Sequence, residues 1–298
     1  VKQRLLAVAG AVALVAVAVL VRTTLFDADA DDGPGGRGGG GAPVVACTPD
    51  LADVCAALAD DGAIAREPIT LDLDAATEPP DDLDGWITWD GAPGVADLDA
   101  PGTWQEPVAV AGAPLAIARR SGPVPALPAG CAADTLTWRC VVDSALDGTA
   151  VGVGTGTTAE SLVRLHPLAT ALVPADGDVT DIDATDLRAV VASPADPQDL
   201  FPAQLVTLRT KLGALTWLVG PQGALEAADG LVVVRPAGSA VLASVVLAAT
   251  GSGDVGNLAD RLRDGAPAAA LRDAGVEPGA GRLSVDPGEL YAVRDKVG

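Results

Sequence analysis

Seven residues, Gly152–Val153–Gly154–Thr155–Gly156–Thr157–Thr158, join a short apolar run to a helical stretch and are the most informative chemistry in the chain. The segment is rich in glycine, ends in hydroxyl side chains and leads into a helix start. Free backbone N–H groups at such a place can bind an anion, helped by the helix dipole. Thr155, Gly156, Thr157 and Thr158 are therefore candidate ligand contacts. Thr157 takes the last glycine position of a dinucleotide fingerprint and no Lys follows, so neither that motif nor a P-loop is present. A tight, well-capped turn would use the same residues, and both readings stand on the residues alone. A second strand-to-helix turn is Cys47–Thr48–Pro49–Asp50, with Thr48 as N-cap, Pro49 at the first helical position and Asp50 in the first turn. Taken alone it is a helix cap. Paired with the first turn, it is a second helix start that could face it across a cleft, although Asp50 would oppose an anion.

Catalytic constellations are missing. His166 is the single histidine, which excludes most multi-histidine metal sites and leaves it a packing or surface role. Ser161 lies five residues away on the same helical stretch, a poor nucleophile–base geometry. There is no G-x-S-x-G, H-E-x-x-H or C-x-x-C motif, and the acidic clusters lack EF-hand spacing. The expectation is a non-enzyme with no catalytic residue, metal site or cofactor. Residues 1–26 hold three bases and no acid, so the rest of the chain carries −24 of the total −21. Such a surface repels phosphate backbones, which argues against nucleic-acid partners. Trp89 and Trp217 sit at or near predicted strand ends and are candidates to line a pocket; the default role for all five tryptophans is core.

The elements that must position these residues follow from pattern. Hydrophobic residues make up 49% of 298, enough for a sizeable core, but aromatics are only 3%, so that core must be Ala, Val and Leu. Strands are expected at 43–46, 69–73 and 85–89, then as an extended pair over 107–119 broken at Gly112–Ala113–Pro114, and again at 150–153, 214–219 and 231–235. Helices are expected over 49–59, 135–146, 158–172, 184–192, 202–212, 239–249, 258–264 and 267–274. The tail from Gly279 carries little signal. Alternating strands and helices argue an α/β fold with largely parallel sheets, whose ligands sit beyond the carboxyl ends of the strands.

Leu5–Val21 is an uncharged apolar run of 17 residues, extended by Thr23–Phe26 to the ~20 residues of a bilayer crossing. Lys2 and Arg4 precede it, which predicts a single-pass anchor over 1–26, bilayer contact through 5–26 and an exported C-terminal part. A cleaved signal peptide is the alternative, with Ala28–Asp29–Ala30 as a late site. Residues 27–42 are an Asp/Gly-rich linker that reaches about 20–25 Å. Four cysteines in an exported chain suggest two disulfides. Cys131–Cys140 closes a short loop. Cys47–Cys55 follows by elimination, yet a straight helix over 49–59 would set those Cα atoms about 10–12 Å apart, beyond the ~7 Å a disulfide allows. A bridge and two buried thiols both remain open.

The order of segments resembles the type 2 solute-binding proteins of ABC importers, nearest the molybdate/sulfate-binding branch, as a divergent member. VVACTPDLADVC is similar to the family's first strand-turn-helix, with Thr48 in the place of a ligand hydroxyl. DGWITWDG (84–91) falls at the strand leading to the second ligand turn. GAPLAIARRSG (112–122) resembles the crossover into the second lobe. LTWRCVVDSALDGTAVGVGTGTTAESLVRL (136–165) is like the helix, strand and ligand-facing helix start of that lobe. ALTWLVGPQGALEAADGLVVVRPAGSAVLASVVLA (214–248) resembles the strand and return crossover, and NLADRLRDGAPAAALRDAGVEP (257–278) the closing helices. The resemblance implies a two-lobed fold with two crossovers over 43–278: a first lobe of about 43–118 plus 236–278, a second of about 119–235, and a tail over 279–298. It implies a membrane-tethered extracytoplasmic protein that captures a small ligand, an oxyanion by preference, for an ABC permease. The alternative is an envelope interaction or sensing module that keeps the fold without transport.

Overall fold

The computed structural model describes residues 42–298 except 66–67, 124–125, 134, 192–199, 212–213, 238–240 and 252. The anchor expected over 1–26 and the linker after it, up to residue 41, lie outside the described residues. Among the described residues no helix is long and apolar enough to cross a membrane.

The strands are β1 (Val45–Cys47), β2 (Ile69–Thr70), β3 (Gly85–Trp89), β4 (Val108–Arg120), β5 (Val151–Gly152), β6 (Trp217–Pro221), β7 (Leu231–Val234), β8 (Leu242–Ala249) and β9 (Glu277–Pro278). The helices, in chain order, are α1 (Ala52–Asp60), α2 (Ala92–Asp99), α3 (Trp138–Leu146), α4 (Ala159–Leu172), α5 (Ala184–Val191), α6 (Phe201–Thr210), α7 (Gln222–Ala227), α8 (Leu258–Arg261), α9 (Gly265–Asp273) and α10 (Pro287–Val297).

The 13-residue strand β4 organises the molecule. Val108–Pro114 pair with β8, and Leu115–Ala118 pair with β6, so one strand belongs to two half-sheets. The first half runs β2-β1-β3-β8-β4 and the second β4-β6-β5, with β7 and β9 also paired to β4. β4 thus links the two half-sheets, each referred to below with its helices as a lobe, and β8 brings the chain back to the first. The break expected at Gly112–Pro114 does not occur. Pro114 lacks an N–H, but it sits where β4 exchanges β8 for β6, so little pairing is lost there.

Two other expectations are corrected. The helix expected over 239–249 begins at residues outside the described ones, and in its described part Leu242–Ala249 is β8, paired antiparallel with β3 on one side and β4 on the other and buried over nearly its whole length. A run of Leu, Ala, Ser and Val buried on both faces has no alternation to separate strand from helix. The sheets are also less parallel than the alternation of elements suggests. Among the described strands only β1–β2, β1–β3 and β5–β6 are parallel; the remaining strand pairings all involve β4 or β8 and are antiparallel. The strand expected over 69–73 stops at Thr70, because the Asp72 carboxylate accepts the Ala75 N–H (2.9 Å) and starts a 3-10 turn.

One hydrophobic cluster runs through both halves. It joins Val45, Trp86 and Val110 of the first to Val151, Leu162 and Trp217 of the second. A smaller cluster around Ala116, Leu218 and Phe201 backs the far side of β4 and β6. Trp86 and Trp104 stack with ring centroids 5.3 Å apart; otherwise Ala, Val and Leu fill the core as composition requires.

Candidate functional site

The carboxyl ends of β1, β3 and β6 and the starts of α4 and α6 meet around a cavity of about 250 Å³. Its walls come from both lobes. Asp50 and Trp89 face Glu160, Phe201, Pro202 and Leu205, while Pro221, Ala224 and Ala227 and the end of α9 (Arg272–Ala274) form the rim.

The first wall depends on how the chain leaves β1. Cys47 is still in the strand, and Pro49–Leu51 form a 3-10 turn before α1 starts at Ala52. This bend replaces the straight helix over 49–59 and brings Cys47 and Cys55 to a Cα separation of 6.1 Å, where they are bridged. The second disulfide, Cys131–Cys140, has a Cα separation of 5.8 Å. The first bridge ties down the turn that carries Thr48 and Asp50. Thr48 has the extended backbone of a cap, but its side chain makes no cap hydrogen bond and is buried. Its carbonyl accepts the Leu51 N–H (2.9 Å) and its N–H donates to Ile87 O (3.1 Å), which locks the turn to β3.

Asp50 is held by Trp89, whose indole N–H donates to its carboxylate at 2.6 Å. Burial pushes the Asp50 carboxyl above the ordinary carboxylate value. The bond from Trp89, its own backbone, the Thr48 hydroxyl and the charge of Arg164 oppose that rise. Burial is the largest of these effects because a carboxylate leaving water loses solvation that few donors replace.

The opposite wall rests on a buried ion pair. Glu160 and Arg164 lie one turn apart on α4, with Nε to Oε1 at 3.6 Å. Both are almost wholly buried. Glu160 accepts the Phe201 N–H at 3.1 Å, at the start of α6. Arg164 donates to Gln204 Oε1 (2.8 Å) and to Val219 O (3.2 Å), and its guanidinium lies 5.5 Å from the centre of the Phe201 ring. Each polar atom so bound offsets desolvation. The Phe201 ring rests directly on Gly220 of β6, where a Cβ would have no room. Arg164 is thus engaged with Glu160, Gln204 and Val219, and its charge is the smallest of the influences on Asp50.

The residues singled out from sequence divide into three groups. Trp89 lines the cavity, and Thr48 lies in the turn just before Asp50. Trp217 is 1% exposed at the start of β6 and belongs to the core. The Thr155–Thr158 turn is elsewhere. The Thr155 and Thr157 hydroxyls are 2.8 Å apart, and Thr158 caps α4 in a reciprocal pair with Ser161. Gly156, at φ +78°, lies under Val297 of α10. Gly156 and Thr157 border a second, more open cavity of about 380 Å³ together with Asp74, Asp99, Tyr291 and Arg294. The first turn of α4 thus reaches the first cavity through Glu160, while the threonine turn that precedes it borders the second.

Sequence reading missed Glu160, Arg164 and Phe201. The i, i+4 spacing of Glu160 and Arg164 on one helix was a readable signal of an ion pair; its burial was not. Among the described residues no group of three or more His, Cys, Asp or Glu side chains is placed to hold a metal ion.

No protein-family model matches the chain, and no curated protein sequence matches it. Solved structures do. A periplasmic thiamin-binding protein superposes with a TM-score of 0.57 at 13% identity, covering 89% of this chain and 98% of that one. The apo ferric ion-binding protein A of Pasteurella haemolytica gives 0.55 at 10% identity, covering 86% and 95%. At such identities the likeness is one of fold alone: the chain shares the mixed α/β fold of these two proteins.

Proposed function

We propose that residues 43–278 capture a small solute outside the cytoplasm, in the cavity between the lobes, and deliver it to an ABC permease. The supporting observation is that the cavity draws facing walls from both lobes, Asp50 and Trp89 against Glu160 and Phe201. A ligand touching both walls would be bound most tightly with the lobes together, which is how hinged closure is driven. The anchor over 5–26 would keep the domain close to the membrane.

The cavity chemistry favours a ligand with a positive charge and a flat apolar part. Glu160 already has Arg164 as partner, whereas Asp50 is desolvated and gains only a minor share of that charge. A ligand cation would supply the missing partner, and Trp89 and Phe201 offer aromatic surface for it. An oxyanion, expected from the threonine turns, has less support. Asp50 would repel it, and Thr155, Thr157 and Thr158 bond within their own turn.

Thermal-shift and native mass spectrometry on residues 43–298, made in an oxidising host, test this with thiamin and choline against molybdate and sulfate. Binding of a cationic probe, lost when the other lobe's wall is changed by Phe201→Ala, is the expected result. Binding of molybdate or sulfate alone would restore the oxyanion. No response to any small solute would favour the non-transport envelope module.

A further inference from the structure

The segment over 279–298 lies across both lobes, and its two attachments differ in kind. On the first lobe it is built into the sheet. Gly279 N–H donates to Val110 O at 2.7 Å, and Gly281 packs directly on the Ala111 backbone. The Ser244 hydroxyl of β8 donates to Arg282 O (2.8 Å) and accepts the Arg282 N–H (3.0 Å). The buried carboxylate of Asp90, just past β3, accepts the N–H groups of Ser284 (2.7 Å) and Val285 (3.2 Å). Asp286 then caps α10, whose Leu290 sits so close to Gly91 that a Cβ there would meet it at 2.5 Å. Arg294 completes this side with Asp99 (3.0 Å) and Asp74 (2.5 Å).

On the second lobe there is no strand pairing: α10 packs against α4, α5 and the 3-10 turn Val179–Asp181, and polar contacts edge that packing. Glu289 meets His166 of α4 at 3.0 Å, with the Glu289 side chain 47% exposed. Lys296 Nζ donates to Ile182 O at 2.9 Å. Val297 covers Gly156 in the threonine turn. Exposed ion pairs of this type hold weakly, because water and salt screen them and long side chains must be ordered. Backbone hydrogen bonds to a buried carboxylate do not share that weakness.

We propose that residues 279–298 form a clasp, fixed to the first lobe and holding the second lobe against it. Opening of the cleft then breaks the His166–Glu289, Lys296–Ile182 and Val297–Gly156 contacts together with the packing of α10 on α4 and α5, while the clasp stays seated on β4, β8 and Asp90. A chain segment thus takes, over the threonine turn, the bridging place between lobes that a ligand would otherwise take. The proposal does not depend on which solute the other cavity holds.

The test uses residues 43–298 with L98C and V206C as spin-label sites, both more than half exposed and on different lobes. The background with Glu289 and Lys296 intact should give one short distance. E289Q/K296A, which removes two second-lobe contacts and nothing in the first-lobe seat, should add a longer-distance population. Hydrogen exchange should show protection at 155–158 falling by about tenfold in that variant, the loss expected from two surface contacts, with 282–286 unchanged. An unaltered distance distribution, or equal loss at 155–158 and 282–286, would overturn the clasp. Exchange of the unmodified chain is an independent check: protection lower at 282–286 than at 289–297 would also overturn it.

Discussion

Asp50 shows how one buried carboxyl can couple stability to pH and to a ligand. Its folded-state pKa is raised by burial above the ordinary value of 3.8. The folded protein therefore keeps a proton that the unfolded chain has lost as pH climbs past 3.8. The stability linked to Asp50 is full below that value and is lost as pH rises through the folded-state pKa. Asp90 shifts in the same direction, again by burial, against hydrogen bonds from Ser284, Val285 and Gly91. Asp50→Asn cannot ionise, so it should raise Tm at neutral pH, with the gain shrinking as pH falls toward 3.8. Calorimetry across that range reads the slope; a gain equal at every pH would assign it to packing instead of ionisation. The same variant should bind a cationic probe at least about tenfold more weakly, since a charge-assisted contact is worth about 1.5–3 kcal/mol.

At the scale of elements, the turn after β1 carries the first wall and the Cys47–Cys55 bridge holds that turn. A bridge closing so short a loop stabilises by about 2–3 kcal/mol in the chain-entropy account. Cys47→Ser/Cys55→Ser should lower the urea midpoint accordingly and weaken any ligand at Asp50. Changing the Cys131–Cys140 pair in the same way should lower the midpoint while leaving ligand affinity in place, because neither residue lines the cavity. Titrations of both variants separate the two cases. Several elements were legible before the structure: the strand expected over 85–89 and the helix expected over 158–172 match the observed Gly85–Trp89 and Ala159–Leu172. The last helix was not seen, although Asp286–Pro287–Gly288–Glu289 is a start signal of cap, first-turn proline and acid. Its weakly apolar face hid it, for only Leu290 and Val293 are buried.

At the scale of the molecule, the lobes are not independent bodies. β4 runs through both half-sheets, and one hydrophobic cluster crosses between them. Residues 42–298 should then unfold in a single transition, with tryptophan fluorescence and far-ultraviolet circular dichroism giving the same midpoint. Trp86, Trp89 and Trp104 report the first lobe, and Trp138 and Trp217 the second. Two separated transitions would mean that the shared strand does not couple the halves. Leu290 and Val293 of the clasp belong to that core, so deleting the clasp should lower the midpoint as well as open the cleft.

Local pattern alone determined that the chain after residue 42 is α/β and that its core is Ala, Val and Leu. Those properties depend on near neighbours: alternation, caps and composition act over a few residues. Tertiary structure decided which polar groups meet. Asp50 and Glu160 are 110 positions apart in sequence and line one cavity, while Thr48 and Thr157 do not. It also decided that 242–249 is a strand, since the two neighbours that satisfy its backbone, β3 and β4, are distant in the chain. Burial of Glu160 and Arg164, and the seat of 279–298 on Asp90, have the same origin. They depend on desolvation and pairing between segments that only the packed molecule brings together.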